Sequence, residues 1–158
     1  MKKSTNSIQR IGIIANSAKA SSRAIVQRAA RLIRNSGRTV ICDSPTAQLA
    51  GLKVRTCPDA ASLTRAVELI LVFGGDGTML RVARELNGSR TPLLGINVGA
   101  LGFLTDVSSA DLGTALEQVW KGDFQLESRV LIEATGHCQK RFVRTTALND
   151  FVISRGIV

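Results

Sequence analysis

Residues 69–88, LILVFGGDGTMLRVARELNG, set three glycines and a threonine around a single carboxylate, directly after an apolar run. Glycine lets a backbone approach a ligand closely. The amino end of the helix that follows offers free N–H groups and a positive dipole end, which suits phosphate. A carboxylate beside bound phosphates repels them unless it has a task of its own. Asp76 could accept a proton from an attacking hydroxyl or help to hold Mg²⁺. The plainer alternative is an aspartate capping the following helix. Two familiar phosphate loops do not fit. G-x-x-x-x-G-K-[ST] is absent, and GINVGALG (95–102) spaces its glycines differently from G-x-G-x-x-G.

The turn needs a strand before it and a helix after it, and the chain supplies both repeatedly. RIGIIAN (10–16) reads as a buried strand, and a helix follows to about Asn35, stopped by Ser36-Gly37. RTVICD (38–43) is a second strand, TAQLAG (46–51) a short helical turn and LKVRT (52–56) a third strand. SPTAQ and CPDAASLT carry Pro and N-cap signals of helix starts. ELILVFG (68–74) is a fourth strand, continuously apolar as a strand covered on both faces should be. TMLRVARELNG (78–88) is helical and closes on Asn87-Gly88. TPLLGIN (91–97) is a fifth strand, and SSADLGTALEQVWKG a helix capped by Ser108 or Ser109 and stopped at Gly122. Strands alternating with helices at short spacing predict an α/β fold, a parallel sheet covered by helices. Beyond Gly122 the pattern changes. DFQLESRVLIEATG and QKRFVRTTALNDFVISRG are alternating and helix-free, and read as the first strands of an all-β region. They show an apolar side through Leu126, Val130, Ile132, Phe151 and Ile153.

Composition narrows the classes. With 158 residues, 44% hydrophobic and 21% charged, the chain is long enough for a globular domain with a core. No apolar run approaches the roughly 18 residues of a membrane helix, and MKKSTNSIQR has no apolar stretch of a signal peptide behind its lysines. Cys42, Cys57 and Cys138 with the lone His137 give no zinc spacing. Unpaired thiols without an export signal point to the cytoplasm. The formal charge of +9 sits in the first quarter, where residues 1–42 hold nine Lys and Arg and no acid. Arg23, Arg28, Arg31 and Arg34 share a broad helical face, either a phosphate-attracting surface or simply a solvated one. A nucleic-acid role would want interleaved aromatics, and this stretch has none.

FGGDGTMLRVAR, then LLGINVGALGFLTDV, then ALNDFVISR, in this order and at these separations, resemble the NAD kinase family over roughly residues 10–155. The G-G-D-G element is shared with diacylglycerol kinase, sphingosine kinase and phosphofructokinase relatives; GINVGALGFLTD and the later N-D pair are more specific. The resemblance implies a Rossmann-like α/β domain over 1–122 and the start of a β domain over 123–158. It implies transfer of a phosphoryl group from ATP, or polyphosphate, to the 2′-hydroxyl of the adenosine ribose of NAD, with Mg²⁺ or another divalent cation accompanying ATP. Carried over by position, Asp76 would accept the hydroxyl proton. Gly77 would lie against the dinucleotide, Arg81 would contact it and Phe103 would line the adenine side. Asn149 and Asp150 would hydrogen-bond NAD. Gly74, Gly75 and Thr78 would shape the phosphate turn, with Asn97 and Gly99 in the neighbouring turn. The likeness also implies homo-oligomers, and neither nucleic acid nor membrane as partner.

One family feature is absent. A second motif of the form T-G-S-T-A-Y, on an all-β domain, does not occur. The expectation is an N-terminal part, inactive by itself. Two other readings stay open: a lipid or sugar kinase relative sharing only the glycine turn, and a non-catalytic nucleotide-binding or regulatory fragment.

Overall fold

A computed structural model describes residues 8–18, 21–86, 88–99, 102–105, 107–138 and 141–152. Asn87 and Ile153, singled out above as a helix stop and an apolar tail residue, lie outside the described residues. Six strands form one parallel sheet: β1 (Arg10–Ala15), β2 (Thr39–Asp43), β3 (Arg55–Cys57), β4 (Leu69–Gly74), β5 (Leu93–Asn97) and β6 (Val107–Ser108). Their order is β3-β2-β1-β4-β5-β6, with every pairing parallel. Helices α1 (Ser22–Asn35), α2 (Ser44–Ala50), α3 (Ala60–Thr64), α4 (Asp76–Glu85) and α5 (Leu112–Lys121) cover it. The α/β reading of the sequence is what the molecule has.

The alternation of β4 explains its unbroken apolar run. Leu69, Leu71 and Phe73 join Ile11, Ile13, Val26, Ile33, Leu112 and Leu116 on the face covered by α1 and α5. Ile70 and Val72 point the other way, to Ile14, Ile41, Leu63 and Val82 under α3 and α4. All six residues of β4 are buried, because a central parallel strand has no solvent face. Cys42 and Cys57 divide between these two layers and are free thiols. Burial, and then the charge of Asp43, push the Cys42 thiol up to about 12, so it stays protonated at neutral pH.

Several boundaries differ from those read in the sequence, two of them for a local hydrogen-bonding reason. The third strand begins at Arg55 rather than Leu52, because the Leu52 N–H bonds back to the Ala47 carbonyl and completes the end of α2. α4 begins at Asp76, two residues before Thr78. α5 begins at Leu112 and not at a Ser108 or Ser109 cap. Ser108 pairs in the sheet opposite Asn97, and its Oγ accepts the Asp111 N–H at 3.2 Å, making a turn ahead of the helix.

After α5 the chain runs without regular structure to β7 (Ile132–Cys138), which pairs antiparallel with β8 (Arg141–Ala147). Ile132, Val143 and Ala147 fall on one face of this ribbon. Glu133, Arg144, His137 and Phe142 fall on the other, with an Arg144–Glu133 ion pair at 2.7 Å and the His137 and Phe142 rings edge to face. Leu126, Val130, Ile132, Phe142, Val143, Phe151 and Val152 are exposed. Two strands with an uncovered apolar face are marginal in water. Amides of 132–147 are therefore expected to exchange far faster than those of 69–74 in the monomeric 158-residue chain, or else the chain self-associates through this face. Hydrogen exchange with a sedimentation check decides. Slow exchange through 132–147 in a demonstrated monomer would show that the ribbon is stable alone.

Candidate functional site

The order β3-β2-β1-β4-β5-β6 changes direction between β1 and β4. In open parallel sheets the crevice beyond the carboxyl ends at such a point is where ligands bind. Backbone bonds gather three strand ends there: Asn16 N–H donates to the Phe73 carbonyl at 2.9 Å, and Val98 N–H to the Gly74 carbonyl at 3.1 Å. The Gly74–Thr78 turn stands at that end of β4. Thr78 is buried, and its side chain folds over Gly74 so closely that any Cβ at 74 would overlap it.

Asp76 is the first residue of α4, and the cap position is Gly75, which has no side chain to offer. The aspartate therefore does not cap the helix in the sense the sequence left open. Its carboxylate reaches across to the loop after β5. Oδ2 accepts the Phe103 N–H at 2.8 Å, and Oδ1 accepts the Leu104 N–H at 2.9 Å and the Thr105 hydroxyl at 3.4 Å. The Phe103 N–H, and then that of Leu104, hold Asp76 below the ordinary aspartate range. The positive end of α4 favours the same charged form. At neutral pH this is an ionised carboxylate, aimed by backbone donors, with acceptor capacity left on Oδ2.

The loop is shaped to permit this. A Cβ at Gly102 would overlap the Asp76 carboxylate, and a Cβ at Gly95 would meet the Leu104 carbonyl at 2.8 Å and Thr105 Cγ2 at 2.9 Å. Thr105 is fully buried, and Asn97, buried at the end of β5, donates from Nδ2 to the Thr105 hydroxyl at 2.8 Å. Phe103 is pinned by its backbone while the residue is 93% exposed.

The structure brings Asp76, Gly77, Thr78, Asn97 and Phe103 to one end of the sheet. Gly99 lies exposed two residues past β5. Arg81 is half-buried one turn along α4, in an ion pair with Glu85 at 2.9 Å. Asn149 and Asp150 are exposed just beyond β8, and β8 packs against α4. Among the described residues no hydrogen bond joins either of them to Asp76. Sequence reasoning did not single out Gly95, Gly102 or Thr105. The available signal was a second glycine cluster, G-I-N-V-G-A-L-G, ahead of a threonine, which marks close backbone crossing rather than a loose loop.

Residues 11–124 match the family model described as the ATP-NAD kinase N-terminal domain. The NAD kinase of Syntrophotalea carbinolica is 36% identical over 155 residues, covering 96% of this chain and 53% of that protein. The NAD kinase of Acinetobacter baylyi is 41% identical over 125 residues, covering 78% of this chain and 41% of that protein. The chain thus spans about half the length of the curated relatives it matches. Among solved structures, yeast NADH kinase complexed with NADH shares the fold with a TM-score of 0.78 at 19% identity, over 91% of this chain and 48% of that one.

The clasp on Asp76 makes a direct prediction. A carboxylate whose folded pKa is depressed holds its bonds above that value and loses them as pH falls through it. Phe103 and Leu104 amide signals should therefore stay unchanged from neutral pH down past the ordinary aspartate value of 3.8, then shift together. Gly102→Ala should abolish that joint response already at neutral pH, because its methyl group occupies the place of the carboxylate. Amide NMR of the two chains reads both effects. A midpoint at or above 3.8 would mean that the clasp is not formed in solution.

Proposed function

The chain belongs to the NAD kinase family, and on that premise we propose that it carries the catalytic turn for phosphorylating the 2′-hydroxyl of the adenosine ribose of NAD to give NADP. ATP, or polyphosphate, is the donor. The observation that carries this reading is the pair of glycines flanking Asp76. Neither Gly75 nor Gly77 has a positive φ, and a Cβ at either would meet no atom within 4 Å. Glycine inside a helix costs roughly 0.5–1 kcal/mol relative to alanine, so Gly77, exposed in the first turn and not required by packing, is explained by a ligand's close approach, and Gly75 at the cap position leaves the same face open.

In this reading the 2′-hydroxyl donates to the remaining acceptor site on Asp76 Oδ2 and passes its proton there as its oxygen bonds to the terminal phosphorus. The bond from that phosphorus to the donor breaks to release ADP, or a polyphosphate one unit shorter. The depressed pKa makes Asp76 a weak base, so the proton moves late, as the oxygen gives up electron density to phosphorus. That order fits the loose transition state of phosphoryl transfer. Mg²⁺ or a similar divalent cation, arriving on the nucleotide, would neutralise phosphate charge. The described residues contain no group of three or more His, Cys, Asp or Glu side chains around one point. A metal held mainly by phosphates fits this turn better than one held by protein alone.

The remaining roles follow the same reading. Gly77 lies against the dinucleotide, Arg81 contacts it, and the exposed Phe103 ring meets the adenine. Asn149 and Asp150 bind NAD from the β8 side. Gly74, Gly75, Thr78, Asn97 and Gly99 shape the phosphate turn. Residues 1–122 act as the nucleotide domain, and 123–158 open a β domain that the second half of the relatives completes. The whole protein is a cytoplasmic homo-oligomer. Among the described residues no helix is long and apolar enough to cross a membrane.

NADP formation from NAD, ATP and Mg²⁺ tests the reading, with residues 1–158 alone and joined to the C-terminal half of a relative. Turnover is expected only from the joined protein. Asp76→Asn should lower its kcat by about 10²–10⁴-fold. Gly77→Ala should leave thermal stability equal, or higher by up to about 1 kcal/mol, while raising KM for NAD. Full activity in Asp76→Asn would remove the base role. NADP formation by the short chain would make the second half dispensable.

A further inference from the structure

We propose that Thr105 is the positioning residue for Asp76: its hydroxyl, oriented by Asn97, fixes which oxygen of the carboxylate stays open to a substrate. The assignment begins with proton counting. The Asn97 amide donates to Thr105 Oγ1 at 2.8 Å, so the hydroxyl's own hydrogen points elsewhere. The acceptor within reach is Asp76 Oδ1 at 3.4 Å. Oδ1 then holds two donors, Leu104 N–H and the hydroxyl, whereas among the described residues Oδ2 holds the Phe103 N–H alone. The asymmetry leaves open capacity on Oδ2.

Three further observations show that this placement is built into the fold. Thr105 is fully buried, so its hydroxyl is out of reach of bulk water and leaving it unpaired is costly. The missing Cβ at Gly95 makes room for Thr105 against β5, since a Cβ there would lie 3.0 Å from Thr105 Cα. Asn97, its donor, is itself held in the sheet by register with Gly74 on one side and Ser108 on the other. The β-branch of threonine restricts its χ1, so the hydroxyl is aimed and not merely available. A chain of fixed groups thus runs from β5 through Thr105 to a carboxylate on α4. At 3.4 Å the last link is long; such contacts tighten when a substrate closes the site.

The catalytic meaning of this inference rests on the reading of Asp76 as proton acceptor, but its first test does not. In the 158-residue chain, the Asp76 carboxyl carbon is followed by NMR against pH in the wild type, Thr105→Val and Thr105→Ser. Valine keeps the shape of threonine and removes the hydroxyl, so Asp76 should titrate higher. Serine keeps the hydroxyl and should restore the wild-type curve. An unchanged titration in Thr105→Val overturns the proposal and leaves Thr105 a space-filling residue. Should valine prevent folding, the unmodified chain decides: a Thr105 hydroxyl proton that shifts as Asp76 titrates supports the link, and one that does not respond overturns it. In the joined protein, Thr105→Val should lower kcat roughly 10- to 100-fold, the scale of a misplaced catalytic group, with KM for NAD little changed and recovery in Thr105→Ser. A loss confined to KM counts against positioning. If the joined protein forms no NADP at all, the function proposed above fails while the titration still decides the role of Thr105.

Discussion

The carboxylate of Asp76 joins two pieces of chain that the sheet alone does not hold together. One is the turn that ends β4 and starts α4; the other is the loop that leaves β5 and returns to pair as β6. Two backbone N–H groups on successive residues, Phe103 and Leu104, converge on its two oxygens. Such donors cannot be altered by side-chain substitution, and they bind the charged form of the acid. The clasp also explains why Phe103 carries an almost fully exposed ring on a fixed backbone. The residue is held by its main chain, which leaves the side chain free to meet something else.

The rest of the architecture brings these two pieces within reach. β4 must be central, since only a strand covered on both faces can be apolar along its whole length, and Phe73 and Val72 anchor its final turn in opposite layers. β1 and β5 flank it, and their ends are tied to its carbonyls by Asn16 and Val98. At the opposite end of the sheet, Glu68 receives Arg10 through backbone and guanidinium N–H groups, which closes the entry of β4 against β1. The strand is thereby fixed at both ends, and the turn that leaves it has little freedom.

Much of this was legible in the sequence, and what was not has a common cause. The alternation of apolar runs with amphipathic helices gave the parallel sheet, because burial on both faces writes itself into residue type. The glycine turn was legible because three glycines, one carboxylate and a threonine between an apolar strand and a helix form a specific pattern. The two-residue β6 was not, since its pairing is imposed by Ile96 and Asn97 on the neighbouring strand and not by its own residues. Nor was the clasp, because its donors are backbone amides, which every residue but proline carries. Nor was the exposure of Phe103, which follows from the backbone bond that pins its loop. The LKVRT stretch looked like strand from its composition, while a hydrogen bond ties Leu52 back to α2 and the strand starts only at Arg55.

The glycines of the site divide into two kinds on physical grounds, and the division bears on function. Gly74, Gly95 and Gly102 are required by the protein itself: at each, a Cβ would meet Thr78, Thr105 with Leu104, or Asp76. They let three segments close on one carboxylate. Gly75 and Gly77 face open space and could be alanine as far as packing is concerned. With Gly77 in its first turn the chain accepts a weaker start to α4, and with Gly75 at the cap it gains a surface on which backbone N–H groups are not shielded by side chains. Anions bind to such a surface at the positive end of a helix. Asp76 would oppose that binding were its charge not already drawn toward Phe103 and Leu104. The clasp therefore does two things at once: it orders the loop, and it directs the Asp76 carboxylate toward the Phe103 and Leu104 N–H groups, which in the function proposed above leaves the N–H groups of the turn to a phosphate.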